Sequence, residues 1–212
     1  MIDELKKTMK KGMKDNIERK QPSINDVVFH EGTPLFSFVE LNINEICNRR
    51  CPFCPRVDPE VYPNQNIHMD IEIAQTIAEQ LSELNFTGIV NISGTGEPLL
   101  TKYIVDIVRE FGKRNIHVEI VTNGDVLQRE RGSQLIKDLY EAGLQQFVIS
   151  MYDGPEQIEL FNNLFDSCGI NNNQYSLRDR WYDESEDYGL LYTNRAGNIG
   201  FEHLSDGAKN KL

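Results

Sequence analysis

The sequence predicts an α/β fold built from repeated β-α units with parallel strands. Strand-like apolar runs recur along the 212 residues and helical apolar patterns lie between them. Their period is roughly 30 residues, the length of one β-α-β unit. Repeated units of this kind require right-handed crossovers between parallel strands, so an open or closed α/β barrel is the natural architecture. The length suits one such domain with appendages and is short for two independent cores.

The elements follow in order. Residues 1–34 read as a polar leader, because the first twenty carry seven Lys or Arg and four Asp or Glu, a local +3, without the apolar centre of a signal peptide. Leu35 to Ile43 alternates and places Phe36, Phe38, Val39, Leu41 and Ile43 in a strand that arrives at a loop of cysteines. From Asp70, an N-cap residue type, the positions Ile71, Ala74, Ile77, Leu81 and Leu84 fall at helical spacing until Gly88, which predicts a helix over 70–85. Further strands are expected at Ile89 to Ile92, Ile116 to Val121, Phe147 to Met151 and Gln174 to Leu177, which brings the count to five. Helical patterns separate them, among them Ile104, Ile107, Val108 and Phe111, and later Ile158, Phe161, Leu164 and Phe165. Beyond Trp181 the pattern decays into acidic and polar sequence, so the expected core is 35–182 and the tail 183–212.

Composition excludes some functions. Twenty-two Lys and Arg stand against 33 Asp and Glu, a net charge of -11, which opposes a phosphate-backbone partner, so no nucleic acid is expected. No run of about 18 apolar residues occurs, so neither a membrane span nor a secretory leader is predicted and the chain reads as cytoplasmic. Of four cysteines, Cys47, Cys51 and Cys54 crowd into eight positions, which argues for a metal site over a dispersed disulfide framework. Thiolates are soft ligands suited to iron-sulfur clusters or zinc. A zinc site would need a fourth ligand, and among His30, His68, His117 and His203 only His68 is close in sequence. The fourth thiol, Cys168, lies over a hundred residues away behind a helical pattern and reads as a small buried hydrophobe.

Cys47-Asn48-Arg49-Arg50-Cys51-Pro52-Phe53-Cys54 resembles the signature of the radical S-adenosylmethionine superfamily, C-x3-C-x2-C with an aromatic residue just before the last cysteine. The resemblance covers about residues 35–200 and implies a partial (β/α)6-type TIM-like barrel. It implies that Cys47, Cys51 and Cys54 hold a 4Fe-4S cluster with one iron left open to S-adenosyl-L-methionine. One electron would then cleave that cofactor to a 5'-deoxyadenosyl radical, which abstracts hydrogen from a peptide or sugar-like substrate. The backbone near Phe53 would contact the adenine. An electron donor such as flavodoxin or ferredoxin is implied as a partner. A non-catalytic iron-sulfur or zinc-binding module is the alternative.

Later loops extend the resemblance. Ser93-Gly94-Thr95-Gly96-Glu97-Pro98 follows a strand, where α/β barrels place their active-site loops. It resembles the family's GGEP motif with Thr95 for the first glycine, and implies that this loop and Glu97 bind the methionyl ammonium. Thr122-Asn123-Gly124 is either a tight turn or, as in similar proteins, a border of the active site lined by Thr122 and Asn123. Ser150 is either an N-cap or a contact to the ribose or carboxylate of the cofactor. Arg178 offers a guanidinium that matches a carboxylate, with Arg180 as rival and a surface ion pair as the other reading of both. The segment Leu191 to Asn198 resembles the stretch that precedes a cysteine-rich SPASM domain, so the tail is expected to lead toward an auxiliary-cluster domain that this sequence does not contain.

Overall fold

The structure is a computed structural model and describes residues 27–51, 54–60 and 62–180. A two-stranded antiparallel hairpin, β1 (Phe29–His30) and β2 (Thr33–Pro34), comes first. It turns through Glu31 and Gly32, both at positive φ. The hairpin lies within the stretch expected to be a polar leader, and two-residue strands are too short to leave a periodic trace.

The body is a five-stranded parallel sheet in the order β3 (Phe38–Leu41), β4 (Ile89–Ile92), β5 (His117–Thr122), β6 (Gln146–Met151), β7 (Tyr175–Asp179). Each strand pairs with the next in sequence, and β3 and β7 are the two edges among the described residues. Four helices cross between strands: α1 (Ile71–Glu83), α2 (Ile104–Gly112), α3 (Gly132–Glu141) and α4 (Glu156–Ser167). The five expected strands are therefore present, and the parallel α/β class of a partial barrel holds.

Asp70 occupies the N-cap of α1 in extended backbone, but its side chain makes no capping hydrogen bond. That helix buries Ala74, Ala78 and Leu81 and stops where Asn85 takes a positive φ, before Gly88. In α2 the positions Ile104, Ile107, Val108 and Phe111 are all buried, as their spacing requires. Helix α3 has no counterpart in the sequence reading, because its buried face reduces to Ile136 and Leu139 beside Gly132. No helix among the described residues is long and apolar enough to cross a membrane.

Alternation gives the sheet two chemically different faces. Leu41, Ile92, Ile120, Phe147 and Tyr175 lie side by side across all five strands and are buried in the hydrophobic core. One residue earlier, Glu40, Asn91, Glu119 and Gln146 form a polar row across four of the strands on the opposite face. Bulky branched residues fill that face in a closed barrel. Here Glu40 and Asn91 line a cavity instead.

Candidate metal centre

The cysteine loop is a closed excursion from the end of β3. Glu45 N donates to Ile67 O, Gln65 N to Glu45 O and Met69 N to Ile43 O, so the segment 65–69 returns alongside 43–45 and clamps the loop at its base. Inside it, Asn64 Oδ1 accepts from Cys47 N at 3.0 Å and its Nδ2 donates to Cys47 O at 2.9 Å. Cys54 N donates to Cys51 O, turning the chain into a short 3-10 helix at Pro55–Val57.

Arg56, in that turn, is 3% exposed, and a buried cation must be paired. It donates to Glu45 Oε2 at 2.8 Å, Asn64 Oδ1 at 3.0 Å, Pro63 O at 3.2 Å and Thr95 O at 2.6 Å, and stacks on the Tyr62 ring. Tyr62 in turn hydrogen-bonds the Thr95 hydroxyl at 3.1 Å. Threonine in place of the motif's first glycine thus has a partner across the loop. Asn44, also 3% exposed, donates to Glu97 O at 2.7 Å and Thr101 Oγ1 at 2.6 Å. A Cβ on Gly96 would lie 2.0 Å from Asn44 Oδ1 and 2.4 Å from its carbonyl oxygen, so only glycine lets the two loops approach this closely.

The carboxylate of Glu97 is committed to the protein. Its Oε1 accepts from Leu99 N at 3.0 Å and Thr122 Oγ1 at 2.6 Å, and its Oε2 from Asn123 N at 2.9 Å. Burial pushes its pKa up, and these three hydrogen bonds oppose the rise. Asn123 passes the connection on: Nδ2 donates to Asn48 Oδ1 at 2.9 Å, and Asn48 Nδ2 donates to Asp125 Oδ2.

Cys47, Cys51, Cys54, Gly94, Thr95, Gly96, Glu97, Thr122, Asn123, Ser150 and Arg178 all line one cavity of about 260 Å³ at the carboxyl ends of the strands. Pro98 does not line it and is buried at the start of the 3-10 turn Pro98–Leu100. Phe53 lies outside the described residues, as do His203 and the segment Leu191 to Asn198. Ser150 stands beside Arg178 in register, five residues before the N-cap of helix α4 at Pro155. Arg180 and His68 do not line the cavity; His68 pairs across to Asn44 and bonds Asn66. Cys168 caps the far end of α4 and contacts Ser133 O at 3.7 Å, apart from the other thiols.

Burial pushes the Cys51 thiol up to about 12, and the other two thiols add to it, while burial also raises Cys47. Tyr152 on the cavity wall is pushed up to about 12, again mainly by burial. All three thiols are free of disulfides and half-buried. Among the described residues no three His, Cys, Asp or Glu groups converge as they would around a single ion. What the thiols share is a cavity, and a soft-ligand triplet around a cavity fits a multi-iron cluster by the chemistry of its donors.

Sequence reasoning missed Arg56, Asn64, Asp125, Asp153 and Tyr152. One signal was available for the polar row: Glu40, Asn91 and Glu119 interrupt strands whose two-sided burial otherwise asks for continuous apolar runs.

The sequence profile of the radical SAM superfamily matches residues 41–163. The chain is 33% identical over 166 residues to the S-adenosyl-L-methionine-dependent 2-deoxy-scyllo-inosamine dehydrogenase of Niallia circulans, across 77% of this chain and 60% of that protein. It is 35% identical over 124 residues to the GTP 3',8-cyclase of Lactiplantibacillus plantarum, across 55% of this chain and 34% of that protein. Among solved structures, BtrN in complex with AdoMet and 2-DOIA superposes with a TM-score of 0.57 at 28% identity, over 78% of this chain and 62% of the other. The chain therefore spans about 60% of the length of the first of these relatives.

Proposed function

The chain belongs to the radical SAM superfamily, and on that premise we propose that it binds a 4Fe-4S cluster through Cys47, Cys51 and Cys54 and cleaves S-adenosyl-L-methionine beside it to start hydrogen abstraction from a small, hydroxyl-bearing substrate. The observation that carries the reading is the convergence of the three thiols and the Gly94-Thr95-Gly96-Glu97 loop on one cavity. Held by Cys47, Cys51 and Cys54, the cluster would supply the one-electron reduction, drawn from an external donor, that cleavage of S-adenosyl-L-methionine requires.

The residues of the chain bind and orient. The Gly94 to Gly96 backbone offers close approach to the cofactor, and Arg178 beside Ser150 offers a fork for its carboxylate. Glu97 retains a free lone pair for the ammonium while holding the Asn123 turn. From the polar sheet face, Glu40 and Asn91 line the same cavity and offer polar groups for substrate hydroxyls. A small-molecule substrate is favoured over a peptide by the relative named for 2-deoxy-scyllo-inosamine. An electron donor of the flavodoxin or ferredoxin type would complete the cycle.

Anaerobic reconstitution should load about four irons and four sulfides per chain. With dithionite, the loaded protein should convert S-adenosyl-L-methionine to methionine and 5'-deoxyadenosine without substrate. Cys47→Ala, Cys51→Ala or Cys54→Ala should abolish both, and Cys168→Ala should abolish neither. A loaded protein with no cleavage under any reductant would favour the non-catalytic iron-sulfur module, and one tightly held zinc would favour the zinc module.

A further inference from the structure

Arg49 stands between the first two cysteines of the loop, two residues from each. Its guanidinium is bidentate to two carboxylates at once. Nε and Nη2 donate to Asp125 Oδ2 and Oδ1 at 2.8 and 2.6 Å, while Nη1 and Nη2 donate to Asp153 Oδ1 and Oδ2 at 2.7 and 2.6 Å. Asp125 lies in the loop after β5, Asp153 in the loop after β6, and the arginine also sits over the Tyr152 ring at 5.4 Å.

Each carboxylate is itself held. Asp125 N donates to Asn123 Oδ1, and Asn123 N donates to Glu97, so one arm of the pair leads into the Gly94 to Glu97 loop. Asp153 N donates to Gln157 Oε1 at 3.0 Å and Gln157 Nε2 donates back to Asp153 Oδ2 at 3.1 Å; Gln157 is 4% exposed in the first turn of α4. The arginine side chain is 20% exposed and the Asp125 side chain 23%. Two forks on two carboxylates are a geometry only arginine provides, since an ammonium is a single point charge.

We propose that Arg49 is a positioning residue that clamps the thiol loop onto the turns after β5 and β6, presetting Cys47 and Cys51 for the cluster. This rests on the reading that those thiols hold a cluster. Without the clamp, Cys47 and Cys51 would have to be brought to the cavity each time a cluster assembles. Clamped at its middle and closed at its base, it presents Cys47 and Cys51 to the cavity in advance. The clamp also makes the cysteine loop and the Asn123 turn one body, so the cluster and the cofactor loop keep a fixed relation.

The test uses the full chain, reconstituted anaerobically, with three readouts: iron retained against a chelator, the electron paramagnetic resonance spectrum of the dithionite-reduced cluster, and the change in that spectrum on adding S-adenosyl-L-methionine. Wild type is read first, and failure to take up any cluster sinks the functional reading and the clamp together. Given a loaded wild type, Arg49→Ala should lower apparent iron affinity roughly tenfold or more. The fraction that loads should show altered g-values and a diminished response to S-adenosyl-L-methionine. Arg49→Lys should recover part of the affinity without the wild-type spectrum. Should Arg49→Ala not fold, the double variant Asp125→Asn with Asp153→Asn decides, because it keeps both side-chain sizes and removes both charges. Full iron retention with the wild-type spectrum and response, in Arg49→Ala or in the double variant, overturns the clamp and leaves the functional reading standing.

Discussion

Glu97 shows how one side chain serves both fold and site. Its three accepted hydrogen bonds come from two backbone amides and the Thr122 hydroxyl, and the residue is 3% exposed. In Glu97→Gln, one carboxylate oxygen becomes an NH2 group. Placed at Oε2 it faces the Asn123 N–H, and placed at Oε1 it faces the Leu99 N–H, so either rotamer sets donor against donor. A buried amide left unsatisfied costs about 1–3 kcal/mol. Urea denaturation of the cluster-free variant should show a loss of this size, together with weaker S-adenosyl-L-methionine binding; undiminished stability would show that the carboxylate serves the cofactor alone. At this scale the cysteine triplet was legible because its spacing is a local pattern. Arg49 was not, since its partners lie 76 and 104 positions away and no local pattern announces such pairs.

Among elements, legibility followed length and periodicity. The strand Ile89–Ile92 and the buried face of α2 lie where their apolar spacing puts them. Helix α3, with a sparse buried face, left no comparable trace, and the hairpin β1–β2 left less. Strand β3 ends sooner than its alternating sequence suggests, because beyond Leu41 the chain leaves the sheet and pairs with its own return at 65–69. The turn after β5 reads as Asn-Gly in sequence and is one in space: Gly124 has a φ of 78°, and a Cβ there would lie 2.4 Å from the ring of Phe161, a fully buried core residue. Gly124→Ala would therefore meet backbone strain of about 1–3 kcal/mol and push on α4 as well. The expected result is a loss of at least that size in denaturant melts. It should be accompanied by reduced cluster loading, because Asn123 and Asp125 flank the glycine and carry the contacts to Asn48 and Arg49.

For the whole molecule, the β-α period was enough to give the parallel order, since each strand simply lies beside the next in sequence. What the period could not give was the contrast between the two faces of the sheet, which depends on register. That polar face carries one group that couples stability to pH. His117 opens β5 on the same face as Glu119, and its Nε2 is buried with no hydrogen-bond partner among the described residues. Burial holds its pKa below the ordinary 6.5, with the Glu119 charge opposing the shift. The unfolded chain then takes up a proton that the fold resists, so this contribution is complete above about pH 6.5 and is lost as pH falls through the lowered folded value. Asp153, whose pKa is lowered by the hydrogen bond from Arg49, acts in the same direction but only below its ordinary 3.8. Glu97 acts in reverse: its raised pKa makes its contribution complete below 4.5 and lost as pH rises through the folded value. Between pH 6.5 and 4.5 the histidine contributes an acid-side loss of stability in the cluster-free chain, and Glu97 opposes it. Urea melts across this range should show wild type losing more stability, or gaining less, as pH falls than His117→Phe, which removes the titrating group while keeping an aromatic ring in place. An equal slope in both proteins would assign the acid sensitivity to other groups.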